Sequence, residues 1–218
     1  MMHEVLAVLI GKATPFRGAD EPSAIAKLPR EGPVVVGPLG LAGDEQADRE
    51  NHGGHDKAML HYAADHYPFW REMLGDHPLL ERAGAFGENI SALGLTETGV
   101  CIGDRFRLGT ALVEVSHGRK PCWKLAHRFA VPAMVAQVVG TRRAGWYYRV
   151  IEPGQVAAGD AMSLLDRPQP EWTVARVFGL LVGGDHKREP EALRTLAALD
   201  VLAEAWRKIA RERLAASR

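Results

Sequence analysis

Up to about Asp166 the 218-residue chain consists of short apolar runs, each cut within a few residues by Gly, Pro or Asp. Residues 5–10, 34–36, 105–108, 111–116, 146–151 and 161–165 are such runs, many of them rich in Val, Ile and aromatics. Runs of this length and make-up read as strands, and their spacing points to a barrel or a sandwich. Gly109-Thr110 falls where a tight hairpin turn belongs, just after a second turn signal at Gly103-Asp104. The expected class is therefore mainly β with α insertions.

Two helical insertions interrupt the strands. Ala63, Tyr67, Trp70 and Leu74 recur at helical spacing, with Asp65 placed as an N-cap that leaves Pro68 in the tolerated first turn. A second helical stretch runs over residues 123–129 and, past Pro132, on to Val139.

The pattern changes at residues 166–171, Asp-Arg-Pro-Gln-Pro-Glu, which read as a linker. Beyond it Val174, Val177, Phe178 and Leu181 form one helical stripe, and Leu202, Ala205, Trp206 and Ile209 form another. Pro190 opens a helix between them, Asp200 is placed to cap the last one, and residues 183–188 look loosely ordered. We expect a β domain over residues 1–166 and a small three-helix domain over 172–218.

Lys and Arg total 27, as do Asp and Glu, so the net charge gives no reason to expect a nucleic-acid or acidic-membrane partner. The basic last turns of the final helix are what the helix dipole favours in any protein. Two cysteines make no disulfide framework and no CxxC pair, which fits a reducing cytoplasm. The N-terminal apolar stretch is short and preceded by Glu4, and so reads as a buried strand, not a signal or a membrane span.

Cys122 lies in Ser-His-Gly-Arg-Lys-Pro-Cys-Trp-Lys-Leu, residues 116–125, after a Gly/Pro turn and at the start of the second helical stretch. Free cysteines are mostly small core hydrophobes. Here, however, Arg119, Lys120, Lys124 and the helix start all favour the thiolate, the form that acts as nucleophile and metal ligand. Cys101, between Val100 and Ile102 with no cation nearby, reads as structural.

Two further clusters carry polar chemistry. In residues 51–57, Gly53 and Gly54 permit close backbone approach to an anion while Lys57 supplies charge, although Gly-Gly also occurs in ordinary turns. His52, His55 and His61 lack the spacing of a zinc site, and a hydrogen bond from one of them to a ligand is the better reading. Glu88 and Asn89, bracketed by Gly87 and Ile90, offer a carboxylate and an amide to a heterocycle, or form a polar turn before a strand.

As an ordered set, Gly40-Leu-Ala-Gly-Asp44, His52-Gly-Gly-His-Asp-Lys-Ala58, Phe86-Gly-Glu-Asn-Ile90, Gly103-Asp104 and Pro121-Cys-Trp-Lys-Leu125 resemble the signature series of MOSC domains. The name denotes the C-terminal domain of molybdenum-cofactor sulfurases, and the likeness is to the YiiM-like subgroup with its three-helix tail. The resemblance implies a MOSC-type β-barrel and a molybdenum cofactor (Mo-molybdopterin) with Cys122 as the metal's thiolate ligand; pyridoxal phosphate is not expected. It places His52, Gly53, Gly54 and Lys57 near the pterin or its phosphate, Glu88 and Asn89 on the pterin or substrate side, and Arg119 and Lys124 near anionic charge. Arg119-Lys120 is more basic than in some relatives.

The resemblance further implies reduction of N-hydroxylated compounds, such as hydroxylaminopurines and amidoximes. Cys122 and His52 are then the catalytic candidates, with His55 and His117 as other proton donors. No dinucleotide fingerprint or iron–sulfur cysteine set occurs, so electrons would come from a separate flavoprotein or small electron carrier. The alternative is a persulfide carrier, since attack on a sulfur donor needs the same thiolate.

Overall fold

The structure, a computed structural model, describes residues 2–17, 21–47 and 53–216. Seven strands form a closed barrel. They are β1 (Met2–Ile10), β2 (Met59–Ala63), β3 (Ile90–Ala92), β4 (Arg105–Leu108), β5 (Ala111–Gly118), β6 (Trp146–Glu152) and β7 (Ala161–Asp166). Their order is β7-β4-β5-β6-β2-β3-β1, and β1 pairs back onto β7 with Met2 opposite Ser163, so the barrel has no free edge.

Strand direction cannot alternate all the way round a ring of seven, so at least one neighbouring pair must run parallel. That pair is β2 and β3, with His61 opposite Ile90. Parallel neighbours need a long crossover, usually helical. The connection from β2 to β3 supplies it through α1 (Tyr67–Leu74). Outside the ring, Val34–Gly37 pairs with Gly154–Val156 on one side and Gly40–Leu41 on the other.

All six expected strands are present, whereas β2 and β3 have no counterpart in the sequence pattern. Both are buried at every position, so neither shows a polar face or an alternation to read. The β4–β5 hairpin turns at Gly109-Thr110, as expected; Gly109 has φ +55°, and a Cβ there would lie 2.3 Å from the Gln155 carbonyl oxygen. Asp65 does not cap α1. Its carboxylate accepts from the Gly94 N–H at 2.9 Å, and the helix begins after a 3-10 turn over Ala64–His66.

The second insertion is α2 (Trp123–Phe129) and α3 (Met134–Thr141), separated by a reversal in which Ala130 adopts φ +51°. The C-terminal helices are α4 (Val174–Leu181), α5 (Pro190–Ala198) and α6 (Glu204–Ala216). Thr173 caps α4 by accepting from the Arg176 N–H at 3.2 Å. Asp200 is no cap: α6 starts at Glu204, and the Asp200 carboxylate instead pairs with Arg207 at 2.9 Å. Within the stretch expected to be loose, Asp185 pairs with Arg142 at 2.6 Å.

The stretch expected to be a linker is pinned to the barrel. Arg167 donates from Nη2 to the fully buried Asp104 at 2.7 Å and to the Gly99 carbonyl at 2.8 Å. Backbone bonds from Ile102 to Trp172, from Val174 to Val100 and from Ala203 to Ser116 fasten the helices to the barrel. A single apolar core runs through both, from Val113 and Val115 to Phe178 and Trp206. Where α6 meets β5, a Cβ on Gly118 would lie 3.1 Å from the Trp206 ring.

Removing the guanidinium that faces a buried carboxylate leaves its charge poorly compensated. Arg167→Ala is expected to lower unfolding free energy by about 2 kcal/mol. Urea denaturation should also show one transition, because the barrel and helices share a core.

Candidate functional site

Cys122 is placed by the end of β5. The Arg119 N–H donates to the Gly145 carbonyl at 2.9 Å, so the chain leaves the strand in a fixed direction. Pro121 follows, and Cys122 (φ −130°, ψ 172°) precedes α2, its carbonyl accepting from the Leu125 N–H at 3.1 Å. The residue is half-buried and lines a cleft. Cys101, by contrast, is fully buried; its Sγ faces the Pro170 carbonyl at 3.4 Å, and burial followed by Asp104 pushes its thiol pKa up.

The cleft is open to solvent, and the empty space within it and its mouth together comes to about 710 Å³. Lys27, Lys57, Arg119, Lys120 and Lys124 line it, against the carboxylates of Asp44 and Glu45. Asp44 is largely engaged, accepting from the Gly11 N–H at 2.7 Å, from Lys27 at 2.6 Å and from Asn89 Nδ2 at 2.8 Å. The rest of the lining therefore favours an anion.

Arg119 shows this most clearly. It is 6% exposed; Nη2 donates to the Phe86 carbonyl at 3.3 Å, while Nη1 has no partner among the described residues. A buried donor left unsatisfied costs about 1–3 kcal/mol. An acceptor entering this cleft would recover that energy.

The structure divides the expected site residues. Cys122, Lys57, Asn89, Arg119 and Lys124 come together in the cleft lining. Asn89 is also a brace between strands: its Oδ1 accepts from the Leu60 N–H at 3.0 Å and its Nδ2 donates to the Leu9 carbonyl at 3.1 Å. Glu88, expected on the pterin or substrate side, does not line the cleft. It is fully buried, and its carboxylate accepts from the Tyr67 hydroxyl, from the Gly84 N–H at 2.7 Å and from the Phe86 N–H at 3.0 Å. It holds together the loop that carries Phe86.

Gly53 and Gly54 stand just before Lys57 but do not line the cleft; Gly54 has φ +93°, and its N–H meets Gln46 Oε1 at 3.4 Å. His52 lies outside the described residues. His55 is exposed. His61 is in the core, stacked on Trp146 at 4.3 Å between ring centroids.

Tyr147 is a site residue that sequence reasoning missed. It reads as one aromatic among several in β6, but its register opposite His117 brings it to the cleft beside Cys122. Burial raises its phenol pKa; Arg119 counters the rise and Cys122 adds to it. The hydroxyl therefore keeps its proton at neutral pH.

His117, another expected proton donor, is held in the neutral form. Burial lowers its pKa to about 4, and Nδ1 lies 2.7 Å from the Gly118 carbonyl, which assigns the proton to Nδ1. Nε2 is thereby an acceptor, with no partner among the described residues. Burial lowers the pKa of His61 further, to about 3.

Both histidines are harder to protonate folded than unfolded, so below the unfolded value near 6.5 the unfolded state binds more protons. Each should make stability fall by about 1.4 kcal/mol per pH unit as pH drops from about 6 towards 4. In urea denaturation at pH 6.0, 5.0 and 4.5, His117→Asn is expected to remove one such increment from the slope. An unchanged slope would show that His117 does not titrate in this way.

Fold and site together define a class: a closed barrel that opens a thiol into a cation-rich cleft, with three helices packed on its end. The chain belongs to the MOSC domain family, which matches residues 48–163, and the YiiM-like 3-alpha helix domain matches residues 172–216. It is 40% identical to an uncharacterized Bacillus subtilis protein, YflK, over 94% of this chain and 91% of that one. It is 44% identical to Escherichia coli YiiM over 67% of this chain and 66% of that one. A Gibberella moniliformis protein named a reductase is 43% identical over 73% of this chain, which spans only 28% of that longer protein. The crystal structure of YiiM from Geobacillus stearothermophilus superposes with a TM-score of 0.80 at 32% identity, over 98% of this chain and all of that one. Among the described residues no helix is long and apolar enough to cross a membrane.

Proposed function

We propose that this chain binds a molybdenum cofactor through Cys122 and reduces N-hydroxylated compounds to the parent amine or amidine. The observation that carries the reading is the buried Nη1 of Arg119, without a partner among the described residues, in a cleft lined by five cationic side chains and a half-buried thiol. A soft thiolate suits molybdenum, and excess positive charge suits an anionic pterin phosphate. Arg119, Lys57 and Lys124 would hold that charge, with Asn89 lining the same cleft.

The net reaction takes the N-hydroxylated substrate, two electrons and two protons to the reduced nitrogen compound and water. The bound cofactor supplies the two-electron redox chemistry, replenished by a separate flavoprotein or small electron carrier. The chain's own residues position and protonate. Tyr147, which keeps its proton at neutral pH, stands beside Cys122 and would donate a hydrogen bond to the departing oxygen. Buried and neutral, His117 serves as an acceptor and not as the acid.

Cys122→Ser is expected to lose bound molybdenum and all reduction of an N-hydroxylated base while keeping the melting temperature of the cofactor-free wild type; Cys101→Ser should retain metal and turnover. Full activity with molybdenum in Cys122→Ser would defeat the reading. Cyanide-labile sulfur on Cys122, without metal, would establish the persulfide carrier instead. Arg119→Met should leave the stability of the cofactor-free fold within about 1 kcal/mol of wild type, because removing the unsatisfied Nη1 offsets the lost bond to the Phe86 carbonyl. Its molybdenum content, measured by mass spectrometry, should fall severalfold.

A further inference from the structure

Cys122 lines both the cation-rich cleft and a second one bounded on one side by α6. Lys57, Lys120 and Lys124 also line both, and Lys120 is exposed. Among the described residues each carboxylate that lines either cleft is matched: Asp44 by Lys27, Glu45 by Lys12 at 2.8 Å and Glu21 by Arg17 at 2.7 Å. Lys120 and Lys124 pair with no carboxylate among those residues. The charges at the mouth around the thiol are therefore unevenly balanced, although Lys and Arg equal Asp and Glu at 27 each over the whole chain.

Trp123 stands on the rim of this mouth. It keeps 36% of its surface exposed even with the Arg17 guanidinium 4.3 Å from its ring centroid. The segment that carries Arg17 is fastened to α2: the Phe16 ring meets the His127 ring edge-on at 4.7 Å, and the Phe16 carbonyl accepts from His127 Nε2 at 3.0 Å. The indole and its guanidinium thus sit on a fixed support. An exposed aromatic anchor with arginine, beside lysines that no carboxylate matches, has the make-up of a docking face for an acidic protein. Nucleic acid would be served by the same charges, but its binding gives no reason for them to border a redox thiol.

We propose that this face docks the electron donor, and that the donor is a small acidic carrier protein seated over Arg17, Lys120 and Trp123. The inference rests on the reductase reading. Each N-hydroxylated substrate molecule takes up two electrons and two protons and releases water, so two molecules of a one-electron carrier are oxidised in turn at this mouth. A weak, steered contact suits a carrier that must dock twice per turnover.

The test uses the full chain loaded with cofactor and N-hydroxylated adenine as substrate. Electrons come either from a reduced plant-type two-iron ferredoxin, an acidic one-electron carrier, or from reduced methyl viologen, which needs no docking face. The KM for ferredoxin should rise about tenfold between about 50 and 300 mM salt, while viologen-driven turnover stays within about twofold. Arg17→Glu, Lys120→Glu and Trp123→Ala should each lower the ratio of ferredoxin-driven to viologen-driven kcat/KM by about fivefold or more. Arg194→Glu, on α5 and lining neither cleft, should leave that ratio within about twofold. Viologen-driven turnover without ferredoxin-driven turnover in the wild type, an unchanged ratio in the three variants, or an equal loss in Arg194→Glu would overturn the assignment. So would a single-stranded oligonucleotide that occupies this face in place of ferredoxin. If the wild type carries molybdenum yet viologen drives no reduction, the reductase reading falls. Calorimetric titration of ferredoxin still decides the docking face, since binding that is lost in Arg17→Glu upholds it and binding that is absent or unchanged refutes it.

Discussion

Closing a ring of seven strands forces one parallel pair, and much of the architecture follows from that constraint. The parallel neighbours β2 and β3 cannot be joined by a hairpin, so the chain leaves the barrel through α1 and returns by the loop that carries Phe86 and Glu88. The return loop needs an internal brace, which the buried Glu88 carboxylate provides through bonds to Tyr67, Gly84 and Phe86. With the loop fixed, the Phe86 carbonyl holds one arm of the Arg119 guanidinium and leaves the other facing no acceptor among the described residues. Ring parity thus reaches the cleft through a short chain of contacts.

The site is a balance of buried charges. Lys27 would be an expensive isolated cation at its depth, and burial lowers its pKa against the opposing pull of Asp44. Asp44 in turn is held by Gly11 and Asn89, so this part of the cleft is neutralised and rigid. Lys57, Arg119, Lys120 and Lys124 line the same cleft as the thiol. With Lys27 matched by Asp44, these four supply the cleft's remaining positive charge. Tyr147 and His117, neighbours across β5 and β6, both stay uncharged there for the same reason, loss of solvent.

The strands that alternate, such as β4 and β5, were legible because one face of each meets solvent or a polar layer. β2 and β3 were not, because burial on both sides erases the alternation. Asp65 and Asp200 failed as helix caps because a cap is read from local spacing, whereas each carboxylate found a partner elsewhere, Gly94 and Arg207 respectively. Cys122 and its flanking cations could be found from local sequence, since residues that surround one thiol within a few positions stay near it. Tyr147 could not, because strand register brings it there. The Pro-rich stretch at 166–171 has a linker's composition, yet Arg167 reaches an inward-facing aspartate that composition does not reveal.

The closure of β1 onto β7 sets Met2 against Ser163, contacts separated by most of the barrel's chain. Pairings of such sequence separation form late and make folding slow. Until β7 arrives, β1 has an open edge and its apolar face lacks a full set of neighbours, a state prone to association with other chains. The feature that leaves the finished barrel without edges is thus also the one that prolongs its exposure during synthesis.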